Sequence, residues 1–286
     1  MAEASNPNNA SRPRLSVPPG ACDTHIHFYG PLEQYPLAPT ATFKPPLASV
    51  EEYRAVQQRL GLERVVVVQP SGYGFDNRRT LDAIKQIGDQ ARGVVIVDTS
   101  VTDVELQRLS DSGVRGIRFF MFPGGLLPWE HLDQMAARVH AFGWHVNLQL
   151  DGRELPERIA QLRRLPAKLV IDHVGKFIEP VSTSDRAFKM LLDLVDSGRC
   201  WVKLSAPYET SKHGPPLYND VGQLAKALVK ASPQRMLWAS NWPHPLAQDN
   251  PPDDVLLLDL LLDWVDSEAT RKRVLVDNPA ELYGFK

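Results

Sequence analysis

The feature that most constrains the fold is an eightfold alternation of strand-like and helix-like segments along the 286 residues. Short apolar runs rich in β-branched residues, typical of buried strands, occupy residues 21–27, 64–69, 93–98, 116–121, 144–150, 168–173, 200–205 and 236–241. Segments with helical periodicity follow them at residues 49–60, 76–90, 103–112, 129–142, 154–165, 185–197, 218–231 and 253–265. Eight such units in one chain predict a distorted, single-domain (β/α)8 TIM barrel over residues 20–286.

The remaining sequence features limit the cellular location and the kinds of partner expected for this barrel. Residues 1–19 are rich in Asn, Ser, Pro and Ala and hold no apolar stretch, which predicts a flexible tail and not a signal peptide. A net charge of -2 with dispersed basic residues argues against a nucleic-acid partner, and no run predicts a membrane span. Cys22 and Cys200 lie in apolar segments and are expected to be buried, reduced thiols. We therefore expect a cytoplasmic protein with a small-molecule partner.

The segment Asp23-Thr24-His25-Ile26-His27 ends the first predicted strand. Because residues i and i+2 of a strand share a face, His25 and His27 should project side by side, with Asp23 behind them. Two polar rings in a core would both need hydrogen-bond partners, so a site is favoured over a pair of core histidines. Aligned imidazoles can bind a metal or polarise a carbonyl, and the pair alone does not distinguish these uses.

In a (β/α)8 barrel the site lies at the carboxyl ends of the strands. The polar residues predicted at those ends form one candidate set: His25, His27, Ser71, Arg118, Gln149, His173, Ser205 and Asn241. A core role for His173 and a turn role for Asn241 are the ordinary alternatives. His244 could support the site or anchor its loop, and His213 could belong to a lid. His131, His140 and His145 are predicted to be structural or solvent-facing, since they lie in the fourth helix or at the start of the fifth strand.

Several motifs together resemble the amidohydrolase superfamily, and within it a metal-independent, lactone-processing branch. The matching stretches begin with the Asp23–His27 motif and include Val170-Ile171-Asp172-His173-Val174-Gly175, Trp242-Pro243-His244-Pro245 and the ending Asn278-Pro279-Ala280-Glu281-Leu282-Tyr283-Gly284-Phe285. The resemblance extends from about residue 18 to the C-terminus. It implies the same barrel fold and a site built on the histidines at strands one and six.

Three departures place the chain within that branch. Lactonases of the branch have an Asp at the end of strand eight that activates water, where this chain has Asn241, and an amide cannot accept a proton near neutral pH. Pyrone dicarboxylate lactonases resemble the chain at Arg118 but have further arginines, so one retained Arg suits one carboxylate. Gln149 replaces an aromatic hydroxyl, and its amide suits a hydroxylated sugar acid.

The resemblance and its departures imply an intramolecular isomerase that converts the 1,5-lactone of a sugar diacid, D-galactaro-1,5-lactone, to the 1,4-lactone. The C4 hydroxyl would attack the lactone carbonyl, so no activated water is needed. His25, His27 and His173 are expected to polarise that carbonyl, with His173 also moving the proton and Asn241 orienting the hydroxyl. The substrate-binding set is Arg118 for the free carboxylate, Ser71 and Gln149 for hydroxyls, and Ser205 and His244 in support.

We expect no catalytic metal and no cofactor. Most amidohydrolases add ligands on strands four to six and an Asp on strand eight, whereas Arg118, Gln149 and Asn241 make a poor zinc site. Three alternatives stay open. The chain could be a metal-independent lactonase acting on a sugar-acid or pyrone dicarboxylate lactone, a decarboxylase of the same superfamily, or an inactive sugar-acid binding protein.

Overall fold

The computed structural model describes residues 12–286, and its eight parallel strands form one sheet in sequence order. The strands are β1 (Cys22–Ile26), β2 (Arg64–Val68), β3 (Ala91–Val95), β4 (Val114–Phe120), β5 (His145–Gln149), β6 (Leu169–Ile171), β7 (Cys200–Leu204) and β8 (Met236–Trp238). Two backbone hydrogen bonds close the sheet between its first and last strands. The backbone N–H of Asn241 donates to the carbonyl oxygen of His25 at 3.0 Å, and the backbone N–H of His27 donates to the carbonyl oxygen of Trp242 at 2.8 Å. The predicted (β/α)8 barrel is confirmed.

Helices alternate with the strands around the outside. They are α1 (Val50–Leu60), α2 (Arg78–Ile87), α3 (Asp103–Asp111), α4 (Leu132–His140), α5 (Leu155–Arg164), α6 (Arg186–Asp196), α7 (Asn219–Ala231), α8 (Asp254–Trp264), α9 (Glu268–Lys272) and α10 (Asn278–Tyr283). Local chemistry sets several boundaries: Ser49 and Glu52 form a capping box at the start of α1, and Gly61 ends that helix in the left-handed conformation. Within residues 12–286, no helix has the length and apolarity needed to cross a membrane.

Each strand differs from its predicted limits by one to three residues at one end or both. β3 begins two residues earlier than predicted, at Ala91, and the guanidinium of Arg92 donates to the carbonyl oxygens of Tyr283 and Gly284. β6 and β8 end earlier than predicted. Within three residues of each end the chain enters the left-handed region, at His173 (φ 54°) and Asn241 (φ 66°). These turns end the ladders and re-aim the following side chains at the mouth of the barrel.

The core has an inner and an outer layer. Inside the barrel, Val66, Val170 and Trp201 pack with Tyr283 and Phe285, so the C-terminal segment closes the amino end of the barrel. Outside it, the opposite faces of the strands pack against the helices in a larger apolar cluster. Among the described residues, this packing closes the amino end of the barrel, and the carboxyl ends of the strands are left for the approach of a small molecule.

A bulge in β1 changes the face on which Asp23 lies. Three residues of β1 match two of β2 between Asp23 and Ile26. The Asp23 carboxylate accepts hydrogen bonds from the hydroxyl of Tyr53 on α1 at 3.1 Å and from Ser240 at 2.5 Å. Asp23 therefore lies on the helix side, and the expectation that it sits behind the two histidines is wrong.

Other predictions concern the chain start and the cysteines. Residues 1–11 of the predicted tail lie outside the described residues, and the tail boundary at residue 20 stays a prediction. Leu15 is buried, and its amide donates to the carboxylate of Asp259 at 3.0 Å. Cys22 and Cys200 are buried free thiols, as predicted.

Candidate active site at the carboxyl ends of the strands

Strained backbone marks the mouth of the barrel. Left-handed φ angles occur at His173, Ala206, Asn241 and His244, in the loops that follow β6, β7 and β8. Such conformations cost about 1–3 kcal/mol each for residues other than glycine and concentrate at functional sites. Their grouping at the carboxyl ends of three neighbouring strands indicates that side-chain placement there outweighs backbone preference.

A chamber lies at this mouth and has two connected parts. The inner part is about 50 Å³ and the outer part about 390 Å³, and they share Phe43, Ser71, Phe120, Glu209 and Leu246. Six predicted site residues line the inner part: His27, Ser71, Arg118, Gln149, His173 and Asn241. The other three do not line it, because His25, Ser205 and His244 lie behind these residues with their polar atoms bonded to other side chains.

Hydrogen bonding fixes the protons of His25 and His27. His27 Nδ1 donates to the carbonyl oxygen of Val68 at 2.8 Å, so its Nε2 is an acceptor in the neutral ring. The ammonium of Lys203 donates to His25 Nδ1 at 2.9 Å, which leaves the proton of that ring on Nε2. The two Nε2 atoms are 3.2 Å apart, so His25 donates to His27. Each ring thus donates its one proton to a protein atom, and the pair presents no free ring proton to the chamber.

All three histidines stay neutral near neutral pH. Burial lowers the pKa of His27 to about 3, with Arg118 acting in the same direction, and it lowers the pKa of His173 to about 3 although the Glu209 carboxylate opposes the shift. Burial also holds the pKa of His25 well below its ordinary value, and Lys203 reinforces the shift. His173 Nδ1 is 2.8 Å from the hydroxyl of Ser205, which orients the ring. The rings therefore act as neutral hydrogen-bonding groups.

Behind His25 lies a buried ionic network that the sequence analysis missed. Lys203 Nζ, on β7, is 3.1 Å from Asp172 Oδ1 and donates to Asn147 Oδ1 at 2.6 Å. Asn147 in turn donates to the other oxygen of Asp172 at 2.8 Å. Although burial opposes its ionisation, Lys203 holds the pKa of Asp172 well below its usual range. The charged residue within the apolar β7 segment was the available sequence signal.

Arg118 is a buried cation that has no anionic partner among residues 12–286. Its Nη atoms donate to the backbone oxygen of Gln69 at 2.8 Å and to Gln149 Oε1 at 3.0 Å. Neither acceptor is charged, and Nε has no hydrogen-bond partner in the described part of the chain. Burial lowers the pKa of Arg118 from its high ordinary value, yet an arginine remains protonated. An unpaired buried guanidinium lining a chamber is suited to a ligand carboxylate.

Asn241 faces the chamber with its amide orientation fixed. Its Nδ2 donates to Glu209 Oε1 and to the hydroxyl of Tyr208, both at 2.9 Å. Since a carboxylate only accepts hydrogen bonds, the atom next to Glu209 must be the nitrogen. With both protons donated, the amide oxygen is the atom of Asn241 left to contact a ligand.

His244 supports Asn241 from behind. Its Nδ1 is 2.9 Å from the Tyr208 hydroxyl, and its Nε2 is 3.1 Å from Asp254 Oδ1. With both ring nitrogens bonded to protein groups, His244 holds Tyr208, which in turn holds Asn241. The structure thus favours a positioning role for His244 over the predicted contact with substrate.

The donors near His25 do not fit a divalent metal ion. Ligand atoms of His25, Asp172 and His173 lie within 4.8 Å of one another. However, the Lys203 ammonium already contacts both His25 Nδ1 and Asp172 Oδ1, and its positive charge would repel a metal cation placed there. The chamber adds a guanidinium and an amide where a metal site needs anionic or imidazole donors.

The chain is a (β/α)8 barrel that is closed at its amino end and has histidines, an arginine and an amide at the carboxyl ends of its strands. This arrangement is that of a (β/α)8-barrel enzyme. The chain belongs to the amidohydrolase family, since the family model described as Amidohydrolase matches residues 22–285. D-galactarolactone isomerase of Agrobacterium fabrum (strain C58) is 35% identical, over 99% of this chain and 97% of that protein. The 2-pyrone-4,6-dicarbaxylate hydrolase of Comamonas testosteroni is 36% identical, over 96% and 93%. An apo crystal structure from Agrobacterium tumefaciens superposes with a TM-score of 0.90 at 36% identity, covering 96% of this chain and 99% of that one.

Proposed function

We propose that this protein is a lactone isomerase that converts D-galactaro-1,5-lactone to the 1,4-lactone. The observation behind this proposal is the state of Asn241, whose amide protons are both donated to Glu209 and Tyr208. Its free oxygen can accept a hydrogen bond from a substrate hydroxyl and so orient that hydroxyl, but an amide cannot take a proton from water. The similarity to an isomerase of a sugar diacid lactone supports the same reaction.

The substrate carboxylate is proposed to bind Arg118. The lactone of a diacid retains one free carboxylate, and Arg118 is the buried cation of the chamber that has no anionic partner among residues 12–286. Gln149, which already bonds Arg118, and Ser71, which lines the same chamber, are proposed to contact the ring hydroxyls. This placement would hold the lactone ring beneath Asn241.

The carbonyl oxygen is proposed to lie against His173. With Nδ1 of that ring accepting a hydrogen bond from Ser205, its Nε2 proton would stabilise the negative charge that develops as the hydroxyl attacks. Removing one such donor typically costs about 10²–10³ in rate. Holding the hydroxyl next to the carbonyl supplies the rest of the rate enhancement, because an intramolecular nucleophile reaches a large effective concentration.

We further propose that the reaction needs no metal and no cofactor, in keeping with the poor fit of the donor set. A role in the breakdown of galactarate and a place in the cytoplasm belong to the same proposal, the latter supported by the two free, buried thiols. These points are tested by metal analysis and by assays with and without a chelator.

The deciding experiment is NMR of D-galactaro-1,5-lactone with the enzyme in ¹⁸O-labelled water. The proposal expects the 1,4-lactone as first product with no ¹⁸O, at a rate unchanged by EDTA. The open diacid with one ¹⁸O as first product would refute it. That result would support the second candidate, a metal-independent lactonase, which the Glu209 carboxylate in the chamber and the hydrolase relatives favour.

A further inference from the structure

Glu209 is a carboxylate in the chamber with no role in the reaction described above. It ends the short helical turn Pro207–Glu209, which follows β7, and it lines both the inner and the outer part of the chamber. Its side chain is 5% exposed, as is that of its ion-pair partner Lys176. Burying a carboxylate is costly, so its position in the lining of both parts of the chamber calls for a chemical reason.

The contacts of Glu209 keep it ionised and oriented. Oε2 pairs with the Lys176 ammonium, and Oε1 accepts a hydrogen bond from Asn241 Nδ2 at 2.9 Å. Although burial opposes ionisation, the Lys176 ammonium and the hydrogen bond from Asn241 lower the pKa of Glu209. A carboxylate has about four acceptor positions, and these contacts use two of them. Acceptor positions thus remain for a substrate hydroxyl beside the Asn241 amide.

We propose that Glu209 is the general base, and then the general acid, of the lactone isomerisation, an inference that rests on the function proposed above. The C4 hydroxyl gives its proton to Glu209 as its oxygen bonds to carbon C1 of the lactone. A tetrahedral oxyanion forms. When it collapses, the bond between C1 and the C5 oxygen breaks, and that oxygen takes the proton back from Glu209. The carboxylate is regenerated, and no water or other reactant is consumed.

This assignment follows from the other groups at hand. The Asn241 amide cannot take a proton, and His173 uses one ring nitrogen for its contact with Ser205. The attacking and departing oxygens sit on adjacent carbons, so one carboxyl group can serve both. Lys176 favours the ionised form, which makes the protonated Glu209 a ready donor to the departing oxygen. Acid–base catalysis of this kind contributes about 10²–10⁴ in rate.

The test compares Glu209→Gln and Glu209→Ala with wild type, using NMR of D-galactaro-1,5-lactone. Glu179→Gln is the matched control, because Glu179 also pairs with a lysine, Lys212, but at the surface. We expect kcat to fall about 10²–10⁴-fold in both Glu209 variants with KM changed less than about fivefold, and Glu179→Gln to match wild type. Added formate should restore kcat in Glu209→Ala, where it can occupy the space left, and not in Glu209→Gln.

Two results would overturn the role of Glu209. One is a kcat within about threefold of wild type in a folded Glu209→Gln enzyme. The other is a loss of kcat in Glu209→Ala that formate does not relieve, which would make Glu209 only a holder of Lys176 and Asn241. Circular dichroism and Tm check folding of each variant. If wild type does not isomerise the lactone at all, the proposed function fails with it, whereas an active wild type with an unaffected Glu209→Gln variant refutes Glu209 alone.

Discussion

Replacing Asn241 by Asp would bring two carboxylates together. The Asn241 nitrogen is 2.9 Å from Glu209 Oε1, and in the variant a second oxygen would take its place. Two unit charges at that distance repel by about 6 kcal/mol at an effective dielectric constant of about 20, equivalent to about four pKa units. Lys176 offsets part of this repulsion, so we expect the second ionisation of the pair to be raised by about two to four units.

The proton should reside on residue 241. Lys176 contacts Glu209 and favours its charged form, so the new carboxyl group would be neutral and would donate a hydrogen bond to Glu209. From an ordinary carboxyl pKa of about 4, the shift gives an apparent value of about 6–8. Below that pH the Asn241→Asp enzyme should still yield the 1,4-lactone, and above it the second carboxylate should activate water and yield the open diacid.

The assay is the product ratio by NMR in ¹⁸O-labelled water between pH 6.0 and 8.5, with the enzyme-free rate subtracted. In Asn241→Asp, the hydrolytic rate should rise up to tenfold per pH unit below the apparent pKa. The matched comparison is the double variant Asn241→Asp with Glu209→Gln, where a lone carboxylate should hydrolyse at a rate independent of pH in this range. Identical, flat hydrolysis profiles for the two variants would show that the carboxylates are not coupled, and the argument from their distance would fail.

Three further changes test other parts of the structure. Arg118→Met removes the unpaired guanidinium, so KM for the lactone, from initial rates, should rise at least about 10²-fold through the loss of charge-assisted bonds, with little change in Tm; an unchanged KM would place the carboxylate elsewhere. Lys203→Met leaves Asp172 as an unpaired buried charge and should cost about 3–5 kcal/mol in urea unfolding, against under about 1 kcal/mol for Lys226→Met, which breaks an exposed pair; equal costs would contradict the buried pairing. Burial raises the pKa of Asp23 to about 6, so its ionisation opposes folding, and wild-type stability should fall through this group as pH rises from 5.0 to 7.5. Asp23→Asn lacks that loss, so its free energy of unfolding relative to wild type should improve by about 1.5 kcal/mol over the same interval, and parallel pH profiles would refute the shift.

The repeating pattern of the sequence predicted the barrel because each strand is a buried apolar run and each helix has an apolar face. The same pattern identified the strand ends, and with them His27, Arg118, Gln149 and Asn241 in the chamber. It could not show how deeply each of these side chains is buried. The period of two placed His25 beside His27 but did not show that Lys203 fills the space behind it.

The missed residues share one property: their partners lie far away in the sequence. Lys203 on β7 pairs with Asp172 at the end of the neighbouring strand β6. Glu209 contacts Lys176 and Asn241, each of which lies on a different loop. A charged residue next to an apolar run is indistinguishable, in sequence, from one that turns to solvent. Only closure of the barrel brings these groups within bonding distance, and their burial then makes pairing necessary.

The charges of the chamber, counted in pairs, argue for the kind of substrate. Asp172 is balanced by Lys203 and Glu209 by Lys176, while burial keeps the histidines neutral. Arg118 is left as one buried positive charge that the described residues do not neutralise. A lactone with a single carboxylate would complete this balance. A pyrone dicarboxylate would bring a second negative charge into a chamber where Glu209 already faces the ligand, and the cost of burying an unpaired charge would oppose its binding.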